Sequence, residues 1–422
     1  MHKLHPQMIA YYLILFTTGF LILYAFRALH NVTRKLSKIP RRMIRIAFLV
    51  LAIGAYVSTS YIAMNHEQYE DNKALTNYAV VGAITTSVTL LSICLIQLIA
   101  DLVLLAKYIR FRQTQKKESS SGTPISRGTF ISQTALAVGG LMLGAFLWGT
   151  TKGKFGWSIF KNNLKFANLP KAFDGVKIVQ ISDLHLGSFN ENFEPIAEAV
   201  QMINDLEADY IFFTGDLVND THTEALPWIP ILSKLKAKKG KYSTLGNHDY
   251  GWGDKISDED KKANGKEVAR VNEQMGFNVL LNEHTILENE GEKIGLVGVE
   301  NWGYSKENWF PTFGDYKKST EGMEDVPFKI LLSHDPTHWD HHIMGKEDVD
   351  LTLAGHTHGG QLGISIPGLF ELSAAKLFYK RYAGLYREGK QNLYVNRGLG
   401  YLIFPGRVGI PPEITVHTLS KG

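Results

Sequence analysis

The segment that decides the fold is VKIVQISDLH, residues 176–185, in which a short apolar run ends in an aspartate and a histidine. Four of its first six residues are Val or Ile, and this β-branched content predicts a buried strand over residues 176–181. Asp183 and His185 follow the strand, separated by one residue. The segment therefore predicts polar, metal-binding side chains directly beyond the carboxyl end of a strand.

The same arrangement recurs at four further predicted strands, residues 210–213, 242–245, 328–332 and 351–353. Residues 193–206 and 226–235 have helical spacing and lie between the first three of the five predicted strands. Strands that alternate with helices favour a layered α/β fold. In such folds, ligands bind at the carboxyl edge of the sheet. The polar residues that follow these strands are Asp216, Asn247, His248, Asp249, His334, His356 and His358.

These side chains are typical of a metal centre that lacks sulfur ligands. Imidazole suits Zn, Mn and Fe, whereas carboxylates suit harder ions, and the single cysteine, Cys94, lies in an apolar run. The ligands are too many for one tetrahedral ion. They suit two ions about 3.5–4 Å apart that share a carboxylate, as in phosphatases and nucleases.

Each motif by itself has a simpler interpretation as a surface turn. Gly246-Asn247-His248-Asp249 is also a possible hairpin turn, whereas Gly355-His356-Thr357-His358 is more specific, because paired histidines after a β-run seldom arise from packing. It is the five motifs together, each at a strand end, that favour a metal centre. We expect three other histidines, His338, His341 and His342, to be solvated.

In this order, the motifs resemble those of the calcineurin-like metallophosphoesterase superfamily: Asp-x-His, Gly-Asp, Gly-Asn-His-Asp, a lone His and Gly-His-x-His. The sequence is more similar to the bacterial membrane-associated YkuE/YaeI-like branch, on the segments 169–178, 355–361, 396–400 and 412–414. The resemblance covers about residue 161 to the C-terminus. It implies a four-layer α/β/β/α sandwich and a metal-dependent phosphoric ester hydrolase.

The resemblance also implies roles for single residues. One ion would be held by Asp183, His185, Asp216 and His358, and the second by Asp216, Asn247, His334 and His356. His248 would contact the phosphoryl oxygen and help to protonate the leaving group, and Asp249 would orient His248. The ions would be Mn, Fe or Zn, with Mn as the expected choice, and a hydroxide that bridges them would attack mono- or diesters.

Long apolar stretches dominate the chain before about residue 150. A helix that spans a bilayer needs about 20 mostly apolar residues, and residues 9–26, 46–64, 78–105 and 131–149 qualify. The expected organisation is a transmembrane region of three helices over 1–110, a polar linker over 111–130, a fourth transmembrane helix over 131–150 and a metallophosphoesterase domain over 160–422.

The charges between these stretches predict an orientation. The first loop is strongly basic, the second contains Glu67, Glu70 and Asp71, and the third is basic again. Since basic loops stay in the cytoplasm, this pattern favours a multi-pass protein of the inner (plasma) membrane whose catalytic half faces outside the cytoplasm. If the last stretch were only interfacial, the catalytic half would be cytoplasmic.

Two alternatives remain open from the sequence. One is a pyrophosphatase of the UDP-2,3-diacylglucosamine type on the cytoplasmic face, and the other is a non-catalytic membrane receptor or transporter.

We expect as partners the membrane and a phosphate ester, from a lipid or the cell envelope. The net charge of +4 is carried largely by the membrane loops, so we expect no nucleic-acid partner. Trp252, Trp302, Tyr304 and Trp309 are candidates for an aromatic rim near the site.

Overall fold

The computed structural model describes residues 6–64, 73–114, 127–189, 192–251, 256–304, 311–366 and 370–422. Within these ranges the chain forms two compact units, Met1–Trp148 and Gly149–Gly422. The acidic loop with Glu67, Glu70 and Asp71, most of the predicted linker, Trp252 and Trp309 lie outside the described residues.

The N-terminal unit is helical. The predicted spans are all helical, and two segments, Tyr78–Arg110 and Gly128–Thr151, are long and apolar enough to cross a membrane. In the described residues its long helices are α1 Pro6–Thr33, α2 Lys38–Met64, α3 Lys73–Thr114 and α4 Arg127–Thr151, whose last turn belongs to the second unit.

Polar contacts join the helices of this unit. The carboxylate of Asp101 on α3 accepts hydrogen bonds from the Arg27 guanidinium at 2.5 and 2.9 Å and from the Tyr24 hydroxyl at 2.8 Å, both on α1. The close helix approach is at Gly139, where a Cβ would lie 2.7 Å from Ile93 Cδ1. Asp101 is thus paired with residues of a neighbouring helix.

The second unit is built on two mixed six-stranded sheets. The strands are β1 Ser158–Phe166, β2 Lys177–Ile181, β3 Tyr210–Phe213, β4 Gly240–Ser243, β5 Asn278–Val279, β6 Glu283–Asn289, β7 Glu292–Gly298, β8 Lys329–Leu332, β9 Leu351–Ala354, β10 Gly363–Ile366, β11 Phe370–Ser373, β12 Gly384–Glu388, β13 Gln391–Val395 and β14 Glu413–Lys421. The first sheet has the order β1-β14-β2-β3-β4-β5, the second has the order β12-β13-β9-β8-β7-β6, and β10 and β11 form a separate hairpin.

Apolar side chains of both sheets pack into one core. Ile178 and Phe212 of the first sheet and Ile330 of the second belong to the same buried cluster. The helices bury their apolar stripes on the other side of the first sheet, with Ile196 and Val200 against Val179. The helices of this unit are α5 Glu194–Asp205, α6 Ile229–Leu232, α7 Asp258–Gln274, α8 Tyr316–Ser319 and α9 Pro336–His338. The observed class is a mixed α/β fold after an N-terminal helical region.

The predicted and observed elements differ where local pattern is weak. The strand predicted over 242–245 is β4, Gly240–Ser243, and α7 has no counterpart in the sequence-based prediction because its sequence is mostly charged and polar. Strand β1 was also missed. Asn162 interrupts its row of apolar residues, and its pairing partner β14 lies about 250 residues away along the chain.

Candidate metal centre

The predicted ligands lie at the carboxyl ends of five strands. Strands β2, β3 and β4 run parallel in the first sheet, and β8 and β9 run parallel in the second. Parallel strands end at the same edge, so the residues after them are brought together. Asp183 and His185 follow β2, Asp216 follows β3, Asn247 follows β4, His334 follows β8, and His356 and His358 follow β9.

These side chains form two groups. In the first, of Asp183, His185 and His358, the ligand atoms lie within 4.8 Å of one another, and the same holds for the second, of Asp216, His334 and His356. Asn247 joins the second group, because its Oδ1 lies 2.8 Å from His356 Nδ1. All seven residues predicted as ligands are therefore brought to one place.

One oxygen connects the two groups. Asp216 Oδ2 lies 3.4 Å from His185 Nε2 in the first group and 3.1 Å from His334 Nε2 in the second. In the first group, His185 Nε2 lies 3.1 Å from His358 Nε2, which in turn lies 3.6 Å from Asp183 Oδ1. The Asp216 carboxylate therefore lies between the two groups.

Polar partners behind the rings fix which nitrogen faces the site. His334 Nδ1 lies 2.7 Å from the Thr214 carbonyl, and His185 Nδ1 lies 3.2 Å from Asn219 Oδ1. For His356 the outward nitrogen is Nε2, 2.8 Å from the Tyr379 hydroxyl and 3.4 Å from Asp335 Oδ2. Such outer contacts set ring tautomer and orientation in metal sites.

The electrostatics of the site follow from burial and mutual attraction. Asp183, His185 and His334 have no exposed surface, and Asp216 is 1% exposed. Burial by itself would raise the pKa of Asp216, but the attraction of His334 and His248 holds that pKa well below its ordinary value. Burial would likewise lower the pKa of His334, yet Asp216 raises it to about 10. The charged forms of Asp216 and His334 therefore stabilise each other in this buried site.

The backbone at the site is strained. Asp183, His185, Asp216, His356 and His358 have φ values between 48° and 71°, in the left-handed region. Non-glycine residues adopt this region at a cost of about 1–3 kcal/mol each, and such residues cluster at functional sites. Five of the seven predicted ligands are held in this conformation.

Two glycines give the ligands room. A Cβ at Gly246 would overlap the Asp216 carboxylate and lie 2.7 Å from His334 Cε1, and one at Gly355 would overlap Ser182 and the carboxylate of Asp183. Neither glycine has a positive φ. The reason for glycine at these two turns is therefore the space the carboxylates occupy, rather than backbone freedom.

The structure gives Asp249 a different contact from the predicted one. Its carboxylate accepts hydrogen bonds from the backbone amides of Asp216, Leu217 and Gly246 at 2.8–2.9 Å. His248 Nδ1 instead lies 2.7 Å from the Asn219 carbonyl. The backbone turns at Asp216 and Gly246 leave amides that need a buried acceptor, so Asp249 holds the two strand-end turns together and Asn219 orients His248.

The expectation for the three other histidines is right for two of them. His341 and His342 are exposed, whereas His338 is 2% exposed and its Nδ1 lies 2.8 Å from Ser333 Oγ. A polar neighbourhood in the sequence suggested solvent, but α9 turns this ring inwards. Sequence reasoning also missed Tyr379 and Asn219, because neither belongs to a motif.

Comparison with known proteins matches both halves of the chain. Residues 176–360 match the family described as calcineurin-like phosphoesterase, and residues 7–154 match a probable calcineurin-like phosphoesterase transmembrane domain. The uncharacterized metallophosphoesterase YkuE of Bacillus subtilis is 32% identical over 66% of this chain and 95% of its own length. This chain belongs to the calcineurin-like metallophosphoesterases.

Other calcineurin-like metallophosphoesterases are similar over comparable lengths. A zebrafish (Danio rerio) transmembrane protein with metallophosphoesterase domain is 27% identical over 74% of this chain and 68% of its own. The phosphodiesterase YaeI of Escherichia coli is 28% identical over 58% of this chain and 82% of its own. A crystal structure of phosphopantetheinyl hydrolase from Mycobacterium tuberculosis aligns over 52% of this chain and 96% of its own with 12% identity and a TM-score of 0.28, too low to carry an argument.

These comparisons and the geometry of the site both indicate that the chain is an enzyme. The chain is a metal-dependent phosphoric ester hydrolase with a membrane domain. The first membrane stretches, to which the sequence motifs gave no role, belong to a transmembrane domain described for phosphoesterases. Divalent metals, which the family uses, fit the residues present, because the facing Nε2 atoms of His185 and His358 are buried 3.1 Å apart and can share at most one proton.

Proposed function

We propose that this calcineurin-like metallophosphoesterase hydrolyses phosphate mono- or diesters with two divalent ions. One ion would be held by Asp183, His185, Asp216 and His358, and the other by Asp216, Asn247, His334 and His356. The observation that carries this proposal is the position of Asp216 Oδ2, 3.4 Å from a nitrogen of the first group and 3.1 Å from one of the second. The chemistry that two bound ions supply is a shared water activated at neutral pH and neutralisation of phosphoryl charge.

In this proposal, the chain's own residues orient the substrate and move a proton. The Nδ1 atom of His248 is held at the Asn219 carbonyl, so its Nε2 points to the opposite side of the ring. There it would contact a phosphoryl oxygen and protonate the leaving group. Asp249 would act as a positioning residue through the amides of Asp216 and Gly246. The printed name of YaeI, a phosphodiesterase, supports diesters as substrates.

The same proposal extends to architecture and metal. The shared core between the sheets and the helices outside the first sheet support a four-layer α/β/β/α sandwich over about 160–422. The four long helices support four membrane spans, three before residue 110 and one over 131–150, separated by a linker over 111–130. Imidazole with carboxylate and amide ligands, and no thiolate, supports Mn over softer ions.

Hydrolysis assays on the purified full chain test the proposal. We expect turnover of p-nitrophenyl phosphate or its bis ester with added Mn²⁺, and loss of turnover after exhaustive chelation followed by recovery with Mn²⁺, Fe²⁺ or Zn²⁺. The control is the Asp183→Asn variant under the same conditions. Turnover that survives complete removal of metal would contradict the two-ion mechanism.

We further propose that the catalytic unit faces outside the cytoplasm in the inner (plasma) membrane. The alternating basic and acidic loops support this orientation. Fusions of alkaline phosphatase after Gly422 and, separately, after Lys117 test it, because that enzyme folds only outside the cytoplasm. Activity of the first fusion alone supports the proposal. Activity of the second alone would place the site inside the cell, where a UDP-2,3-diacylglucosamine-type substrate is available.

A further inference from the structure

The hairpin of β10 and β11 has its apolar face turned away from the protein. Ile364 pairs directly with Leu372, and Phe370 lies two residues from Leu372 on the same face. The three side chains are 48%, 56% and 48% exposed, respectively, for Ile364, Leu372 and Phe370. The opposite face carries Glu371, which binds the Arg397 guanidinium at 2.9 Å. In a hairpin packed on a water-soluble protein the apolar face is expected on the inside, so this one is reversed.

Three further apolar side chains extend this surface. Leu377 and Phe378, just after β11, are 82% and 81% exposed, and Ile403 is 84% exposed. Ile403 also has a φ of 62°, which a β-branched residue rarely adopts, so the backbone is strained where this side chain is presented to solvent. We call the six residues the apolar rim: Ile364, Phe370, Leu372, Leu377, Phe378 and Ile403.

The apolar rim lies at the metal centre. Tyr379, the next residue after Phe378, places its hydroxyl 2.8 Å from His356 Nε2. The Ser373 hydroxyl donates to the Gly359 carbonyl, directly after the last predicted ligand, His358. Two segments of the rim are therefore adjacent in the chain to residues that contact the site.

The apolar rim is also joined to the end of a helix that can cross a membrane. Gln361, at the base of the hairpin, binds the loop that carries Ile403 through its side chain, with Nε2 2.7 Å from the Phe404 carbonyl. In the same loop, the Arg407 amide donates to the carbonyl of Gly149 at 3.1 Å. Gly149 is the first residue of the second unit and lies in the last turn of α4.

Charge around the apolar rim favours a lipid surface. Between Glu371 and Glu388 the chain contains no acidic residue, and Lys376 and Lys380 flank Leu377 and Phe378 with exposed side chains. Apolar side chains bordered by lysines are typical of segments that lie in the interface of a bilayer with anionic lipids. Binding of a second copy of this chain to the apolar rim would not require that the charged residues beside it be basic alone.

We propose that the apolar rim inserts into the bilayer that anchors the chain, and that the site takes a phosphate ester whose apolar part remains in that bilayer, a lipid phosphate. The substrate part rests on the proposed function. The docking part does not, because it depends on the exposed apolar side chains, on the lysines beside them and on their connection to Gly149. Docking holds the entrance of the metal centre at the headgroup level, where the phosphate of a lipid lies.

Lipid quenching in the full chain tests docking without any need for activity. In a Cys94→Ala background, Leu377→Cys and Ile403→Cys are labelled with bimane and placed in nanodiscs of phosphatidylcholine and phosphatidylglycerol that contain nitroxide lipids. We expect strong quenching at both positions by a nitroxide about 5–10 Å below the headgroups, the depth reached by interfacial segments. The control, Glu207→Cys, is an exposed position just after the carboxyl end of α5 and outside the apolar rim, and it should be unquenched.

Three results would overturn docking. One is the absence of quenching at both rim positions, and another is equal quenching at Glu207→Cys, which indicates adsorption without orientation. Excimer formation between pyrene labels at Leu377→Cys with no lipid quenching would identify a second copy of this chain as the occupant and would also overturn it.

A kinetic comparison tests the substrate class. The double variant Leu377→Ser with Phe378→Ser is compared with Leu226→Ser, an exposed leucine outside the rim. We expect the ratio of turnover on a bilayer-embedded fluorogenic lipid phosphate to turnover on water-soluble bis(p-nitrophenyl) phosphate to fall by about 100-fold in the double variant, because each large apolar side chain that leaves the bilayer accounts for a factor of about ten or more. An unchanged ratio contradicts a lipid substrate. No turnover of either ester by the wild-type chain contradicts the proposed function itself, while the quenching result stands separately.

Discussion

At the residue scale, substitutions of Asp216 and of His248 are expected to have different effects on metal content and turnover. Asp216→Asn should remove both metal ions, since Asp216 Oδ2 is placed beside both ligand groups. Asn tolerates the left-handed backbone of position 216, so the loss would not arise from strain. Elemental analysis of the purified chain measures the metal content, and the exposed Asp205→Asn is the matched control.

His248→Asn is expected to keep the metal ions and lose rate. The ring contacts the Asn219 carbonyl and is not part of either ligand group. The loss of a general acid lowers turnover by about 10²–10⁴-fold. Metal content and turnover are measured on the same preparation. Disappearance of both ions from His248→Asn would overturn the separation of roles.

Tyr379 is expected to act on metal affinity through His356. Tyr379→Phe removes the hydroxyl that lies 2.8 Å from His356 Nε2 and should weaken metal binding by about 10–100-fold, the usual effect of losing an outer hydrogen bond to a ligand histidine. Competition with a metal-sensitive chelator measures the change. Tyr382→Phe, three residues along the same segment, serves as control, and equal affinities of the two variants would refute the role.

At the element scale, the turn after β4 requires glycine at position 246, where there is no room for a side chain. Gly246→Ala should push the Asp216 carboxylate and the His334 ring out of place, because the added Cβ would overlap the first and lie 2.7 Å from the second. Overpacking of this kind costs about 1–3 kcal/mol, and we expect metal loss with it. Gly156→Ala, whose Cβ would lie 3.3 Å from the Gly153 carbonyl oxygen, is the control in elemental analysis and thermal melting.

The pairing of β14 with β2 makes stability depend on pH. His417 on β14 is fully buried with Nε2 3.1 Å from Gln180 Oε1 on β2, and burial lowers its pKa from 6.5 to about 3. The unfolded chain therefore binds a proton at His417 more readily than the folded chain does. The stabilisation of the fold by neutral His417 is present above about pH 6.5 and is lost as the pH falls towards 3. The loss approaches about 1.4 kcal/mol per pH unit in that window.

Melting temperatures at pH 7.5 and 5.0 measure this effect in the detergent-solubilised chain. His417→Gln keeps a neutral polar group beside Gln180 and removes the titration, so the difference between the two temperatures should shrink. His341→Gln, at an exposed ring, is the control and should leave the difference unchanged. An identical pH dependence of wild type and His417→Gln would show that His417 does not titrate on unfolding.

At the scale of the whole molecule, the start of the catalytic unit is expected to lie well before the first motif. Strand β1 pairs with β14 over nine residues, from Ser158 with Glu413 to Phe166 with Lys421. A chain that begins at Leu164 loses six of these pairs and exposes an edge of the first sheet, which favours aggregation. A chain that begins at Gly153 retains β1. Size-exclusion chromatography and thermal melting of the two chains compare them, and equal behaviour would show that β1 is dispensable.

Much of the catalytic fold could be predicted from local pattern. Five strands and the polar residues after them were found because β-branched runs and glycine-containing turns act over a few neighbouring residues. The long apolar helices of the N-terminal unit were found because apolar length is also a local property. The strands of weak pattern, such as β1, and the charged helix α7 were missed, because their stability comes from partners far along the chain.

The sequence by itself determined which residue types stand at the strand ends and in what order, and the parallel alternation of strands and helices brings those ends to one edge. Only the tertiary structure decided their partners. Asp249 binds the amides of Asp216 and Gly246 instead of His248, His338 is buried against Ser333, and Tyr379 reaches His356. The physical reason is that buried polar groups take whichever partner the packed backbone brings within about 3 Å, and that choice depends on segments tens to hundreds of residues apart.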